Sequence, residues 1–276
     1  MKIGDEEFNI PAESKRALDV EVTLMTAMTY VVIFAYALDY LSWPVFYLLF
    51  HLLYMRFFMG AHDRMHTDQL RRWPRAIELM AEHFAVVAVP WAEPIDSIRK
   101  KHFTHHLEHM PGKVPGGDML KDPHSIYESG GFWRSLFYCT FFEEAQLVID
   151  IRNRNITTSR WIRLAIYLPL LVLFVLSFGW EKYLGVVLAV RLMSAIAWLS
   201  FSWFSHTQTY RFGLDKKIPG FVKILLRMTN GKRVSDGFFR HTSHHAWPQV
   251  PPDKLFLLDE AVMRYPDSMP EMIRSS

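Results

Sequence analysis

Charge falls along this chain in blocks. Val22 to Leu38 reads VTLMTAMTYVVIFAYAL without a charged residue, and Leu164 to Trp180 reads LAIYLPLLVLFVLSFGW in the same way. Leu41 to Gly60 is broken only by His51 and Arg56, and Tyr183 to Phe204 only by Arg191. As helices, these four blocks of 17 to 22 residues measure roughly 25–33 Å, the depth of a hydrocarbon core. Four helices apolar all round, in a chain of 276 residues, leave too little polar helix to cover them in water. The pattern predicts an all-α membrane protein forming one domain over residues 1–276, with spans at about 22–38, 41–60, 164–180 and 183–204.

The links between spans set the topology. Asp39 and Tyr40 separate the first two, and Glu181 and Lys182 the last two, so the spans form two hairpins with both turns on one side. The other side holds the N-terminal tail and the segments 61–163 and 205–276. Lys182 is the one Lys or Arg in either turn, against fourteen in 61–163 and eleven in 205–276, which orients the long segments and both termini to the cytoplasm. The membrane expected is a bacterial inner membrane rather than the endoplasmic reticulum. Asp5, Glu6, Glu7, Glu13 and Asp19 precede the first span and argue against a signal peptide. Glu82 to Pro94 carries an apolar run too short to span, and the aromatic-rich stretch Phe132 to Ile151 suits a helix at headgroup level.

Composition adds two facts. A net charge of +3 follows from the basic cytoplasmic face and calls for no nucleic-acid partner. One Cys against thirteen His excludes a disulfide framework, a CxxC site and an iron–sulfur cluster ligated by this chain, so a bound metal would rest on His or carboxylate.

The histidines cluster. His62 and His66 stand in HDRMH, His102, His105 and His106 in HFTHH, and His241, His244 and His245 in HTSHH, while His206 closes the fourth span. Spacings of three and four residues put imidazoles on one helix face, the geometry that lets HExxH motifs chelate. All three clusters map to the cytoplasmic ends of the expected topology, and nine imidazoles fit two ions better than one. Imidazole suits iron, zinc, copper and nickel alike, so the donor atoms do not name the metal. Asp63, Asp118, Asp122, Glu143, Glu144 and Asp236 are the carboxylates available to orient the rings. His51 and His83 read as polar packing residues, and His109 lies too close to Pro111 and Gly112 to be a ligand. Arg56 can snorkel from its span, whereas Arg191 is either a snorkelling residue or a polar contact inside the bundle.

At these residues the chain resembles the integral-membrane fatty acid desaturases and hydroxylases with three histidine boxes. HDRMH resembles their HxxxH box, and HFTHH and HTSHH their HxxHH boxes, in the same order and after spans two and four. Asp122-Pro123-His124 resembles a segment of acyl-CoA desaturases, and His244-His245-Ala246-Trp247-Pro248 with Val250-Pro251 and Leu255 resembles the ending of many lipid desaturases. The resemblance implies two iron ions (Fe2+/Fe3+) held by the nine histidines, with His206 as the extra ligand. It also implies dioxygen as co-substrate and a lipid acyl chain as substrate, desaturated or hydroxylated. With one Cys and no HPGG haem motif, the electrons are expected from a separate ferredoxin, rubredoxin or cytochrome b5-type donor. HDRMH is also similar to the box of carotenoid ketolases, and Ser202 stands where acyl-CoA desaturases carry Asn. Carotenoid ketolase or hydroxylase and alkane-type hydroxylase therefore remain open. Outside oxygenases, a metal transporter would place its ligands near the bilayer midplane, and a zinc hydrolase would leave six histidines without a role.

Overall fold

A computed structural model describes residues 2–11, 14–67, 89–92, 95–108, 123–201 and 218–265. Helix dominates. A two-residue antiparallel hairpin, β1 (Lys2–Ile3) and β2 (Glu6–Glu7), departs from the all-α expectation. The long helices are α1 (Lys15–Ala37), α2 (Trp43–Thr67), α6 (Thr158–Phe178) and α7 (Trp180–Phe201). Among the described residues, these four are long and apolar enough to cross a membrane.

Local chemistry explains their limits. Ser14 caps α1 by accepting from the Ala17 amide at 3.4 Å. Leu18, Val22, Thr26, Thr29, Ile33 and Tyr36 form its buried stripe at helical spacing. Thr26 and Thr29 donate their hydroxyls to the carbonyls of Val22 and Met25, both at 2.8 Å, which satisfies a polar group inside an apolar helix. Helix α6 runs through Pro169 and stops at Gly179, whose φ of 86° is open to glycine without cost. Helix α2 does not end with its apolar block at Gly60. It continues two turns further to Thr67 and carries His62 and His66 with it.

Helices α1, α2 and α7 meet in the main apolar core. Tyr36 stacks on Phe46 with centroids 4.5 Å apart. The Trp43 indole donates to the Gly185 carbonyl at 2.9 Å, and a Cβ on Gly185 would stand 2.1 Å from the Tyr36 hydroxyl, so glycine there lets α7 approach. The two short turns touch: Lys182 pairs with Asp39 and lies over the Tyr36 ring.

The stretch expected as one helix at headgroup level is two, α4 (Pro123–Thr140) and α5 (Phe142–Arg152), with a break inside α4 at Gly131 (φ 69°). They pack on α7 rather than lying free. Ser194 donates to the Cys139 carbonyl at 2.7 Å, and Phe142 stacks on Trp198 at 4.1 Å. Arg191, left open by the sequence, bonds Glu144 through both terminal nitrogens, one at 2.9 Å, so it is a contact inside the bundle. Arg56 pairs with Glu21 at 2.7 Å while remaining largely exposed.

The remaining helices are α3 (Ile95–Glu108), α8 (Gly220–Asn230), α9 (Lys232–Phe239), α10 (His241–Ala246) and α11 (Leu255–Arg264). Buried His51 meets the Asn230 side chain at 3.2 Å and so ties α2 to the end of α8. The N-terminal hairpin docks on α11 through Ile3 against Leu258, Ala261 and Val262, with Glu6 paired to Arg264.

Candidate metal centre

Three helices deliver the imidazoles. Helix α2 presents His62 and His66 one turn apart, with ring centroids at 4.9 Å. Helix α3 presents His102 and His106 at the same spacing, centroids 4.6 Å apart. Helix α10 is short, and its orientation is fixed from behind: Ser243, buried, donates to the buried Asp259 of α11 at 2.7 Å. This turns His244 toward α2, with its ring 4.6 Å from that of His62 and 4.8 Å from that of His66.

The outcome is one cluster. His62, His66, His102, His106 and His244 each offer a nitrogen, and these nitrogens lie within 4.8 Å of one another. Such a group can hold a metal ion. The His66 and His102 Nε2 atoms are 2.8 Å apart, and the His102 and His106 Nε2 atoms 3.1 Å. His241 and His245 join from the side, with Nε2 atoms 2.9 Å apart and the His245 ring stacked on His106 at 4.3 Å. His105 lies on α3, but its side chain is outside the described residues, as is all of His206.

The surroundings favour a neutral ring at His244. Burial, reinforced by the imidazoles of His62, His66, His106 and His241, holds the His244 pKa well below the ordinary histidine value. His66 Nδ1 and His244 Nε2 are buried without a hydrogen-bond partner. A buried polar atom left unbonded is costly, and a lone pair directed at a cation removes that cost.

Of the carboxylates expected to orient the rings, Asp63 does so. Its Oδ1 meets His62 Nδ1 at 3.0 Å, which fixes the tautomer and leaves Nε2 as the donor to a metal. Its Oδ2 accepts from Arg233 Nε at 3.1 Å and Nη2 at 2.5 Å, and Arg233 also reaches Glu21 at 3.0 Å. Asp236 is committed elsewhere: it holds Arg227 at 3.0 Å, Lys232 at 2.5 Å and Arg240 at 3.5 Å, each a cation of α8, α9 or their junction with α10. Glu144 accepts from Arg191 and from the Trp91 indole at 2.9 Å rather than from an imidazole. Glu143 lines an apolar cavity with Tyr54 and Phe58. Asp118 and Asp122 lie outside the described residues, as do His83 and His109.

Two groups near the cluster had no signal in the sequence. Arg233 sits 170 positions from the Asp63 it holds. Lys101, next to His102, is buried against Asp150 at 3.0 and 3.1 Å, and Asp150 also accepts from Arg160 at 2.6 Å, which pins α3 to α5 and α6. No family model, curated protein or solved structure matches this chain.

Proposed function

We propose that this protein is a membrane di-iron oxidoreductase of the desaturase and hydroxylase kind, which uses dioxygen and external electrons to desaturate or hydroxylate a lipid acyl chain. The observation that carries this reading is the convergence of five buried or half-buried imidazoles at one end of a helix apolar enough to span a bilayer. Two iron ions and dioxygen would supply the power to take hydrogen from an unactivated C–H bond. The contribution of the chain is to hold that chemistry at the membrane, with α2 both touching lipid and carrying two of the ligands.

Seven of the nine expected histidines lie in contact with one another, more than a single zinc takes. His62 and His66 occupy the last two turns of α2 rather than its middle, which disfavours a transporter. Asp63, backed by Arg233, keeps His62 oriented. The contact between the two short turns supports two hairpins with the histidines on the opposite, basic face, and the Lys and Arg asymmetry makes that face cytoplasmic.

Metal analysis of the purified protein tests the reading. About two irons per chain are expected, and a single tightly held zinc would overturn it. Mass spectrometry of lipids from cells with and without the protein then reads the chemistry. Two hydrogens lost means desaturation and one oxygen gained means hydroxylation, whereas a ketone on a polyene would move the assignment to carotenoid oxidation.

A further inference from the structure

We infer that α8 lies in the bilayer surface as an in-plane helix, its exposed apolar stripe among acyl chains and its basic edge on anionic phospholipid headgroups. This rests on the four long helices crossing a bilayer and on nothing about the metal or its reaction. Phe221, Ile224, Leu225 and Met228 are 58 to 73% exposed. At about 100° of turn per residue, these four share an arc of roughly 100° on α8. Val222, Leu226 and Asn230 form the opposite side, packed toward Ile218, Phe239 and His51. The helix therefore buries one face in the protein and turns a second, wholly apolar one outward.

The depth of α8 identifies what covers that stripe. Counted from the turn that joins the first two spans, Glu21 is the first charge met on α1 and Arg56 the first on α2. The two pair at 2.7 Å, which marks one level along both helices. His51 stands five residues before Arg56, about 7.5 Å nearer the turn. Asn230, the last residue of α8, bonds the His51 ring at 3.2 Å. The end of α8 thus sits about 7.5 Å inside the level where charge begins, within the roughly 5–10 Å at which in-plane helices bury their apolar face.

Charge selects the headgroup. Gly220 to Arg240 carries five Lys or Arg against one carboxylate, Asp236. Arg227 and Lys232 share that carboxylate, yet their side chains stay 43 and 67% exposed. Lys223 has no carboxylate partner among the described residues. Lys223 and Arg227 lie about 40° apart on one edge of α8, between its buried face and its apolar arc. From that edge a long lysine stem reaches the headgroups while the helix sits lower, and an anionic phosphate supplies the missing counter-charge. A neutral surface would leave these cations uncompensated.

Quenching by brominated lipid tests this on the full-length protein, labelled with bimane at one introduced cysteine and reconstituted into vesicles, the native Cys139 being buried. The sites are Ile224→Cys and Met228→Cys on the stripe, Leu176→Cys in the α6 span and Lys254→Cys, all exposed positions. Phosphatidylcholine brominated on its acyl chains should quench the Ile224→Cys, Met228→Cys and Leu176→Cys labels and spare the Lys254→Cys label. With phosphatidylglycerol brominated instead, the Ile224→Cys label should report roughly fivefold enrichment of the anionic lipid, the worth of one lysine beside a charged surface. Adding Lys223→Gln should bring that ratio close to one and leave quenching by brominated phosphatidylcholine intact, which also shows that the helix is still seated. Unquenched stripe labels beside a quenched Leu176→Cys label would overturn the inference and assign the stripe to a protein partner. Equal preference for the two lipids, or a preference that survives Lys223→Gln, would overturn the anionic assignment. An unquenched Leu176→Cys label would remove the membrane itself and both readings with it. Iron content and turnover enter none of these arms, so the oxidoreductase reading can otherwise fail while this one stands.

Discussion

Asp63 shows how much one side chain can do at this cluster. It bonds His62 on one oxygen and Arg233 on the other, so the His62 ring is held by a carboxylate that is itself held. Partners of this kind typically contribute 10–100-fold in metal affinity. Asp63→Asn should lower metal retention by about that factor in a chelator competition with unchanged helical circular dichroism, and Arg233→Gln should cost less, because Asp63 keeps its bond to the ring. His244→Ala should abolish both metal retention and turnover, and retained turnover would mean that the cluster is not the reacting centre. His244 also sets a pH dependence. Its folded-state pKa lies well below the unfolded value near 6.5, so as pH falls below about 6.5 the unfolded chain takes up protons that the folded one refuses. Stability and metal retention should thus be full above pH 7 and decline as the pH falls below about 6.5, measured by thermal unfolding and metal release across pH 5–8. Asp63 was legible beforehand because it neighbours His62 in sequence. Arg233 was not, because only folding spans the 170 positions between them.

At the scale of helices, the spans could be read from their missing charges, but their ends could not. HDRMH lies beyond the last apolar residue of its block, and α2 carries it on to Thr67, since His, Asp, Arg and Met continue a helix when tertiary partners meet their polar groups. Those partners are Asp19 for Arg64 at 2.5 Å and Arg233 for Asp63. The break between α4 and α5 carried no Pro or Gly at Thr140 or Phe141 and went unread. Helix contacts in lipid gain nothing from expelling water and depend on close fit. Gly185 is therefore the sensitive position between α1 and α7. Gly185→Ala should lower stability by about 1–3 kcal/mol, the usual cost of overpacking. Tyr36→Phe, which deletes the hydroxyl nearest the new Cβ, should restore part of that loss in a thermal-shift comparison of single and double variants.

Seen whole, the molecule gathers its imidazoles beyond the apolar stretch of α2, and the sidedness proposed for it can be measured. The native Cys139 is buried and its thiol pushed up to about 12 by that burial, so it stays protonated and unreactive at neutral pH. Cysteines introduced at exposed Asp39 and at exposed Lys254 should therefore label against a silent background, with a membrane-impermeant maleimide reaching Asp39→Cys in intact cells and Lys254→Cys only after lysis. Labelling of both from one side would remove the two-hairpin topology. Net charge alone carries no sidedness, whereas the placement of Lys and Arg between the apolar blocks predicts one.

The bond between Asp39 and Lys182 also has a meaning in time. Chains are made from the N-terminus at roughly 5–20 residues per second. Asp39 therefore waits for a partner 143 positions away, on the order of 7–30 s at that pace. Until α7 is made, the Tyr36 and Phe46 face stays uncovered, and of the five clustered rings that of His244 is still missing. The newborn protein is thus most exposed to wrong partners, and least able to keep a metal, before its second half arrives.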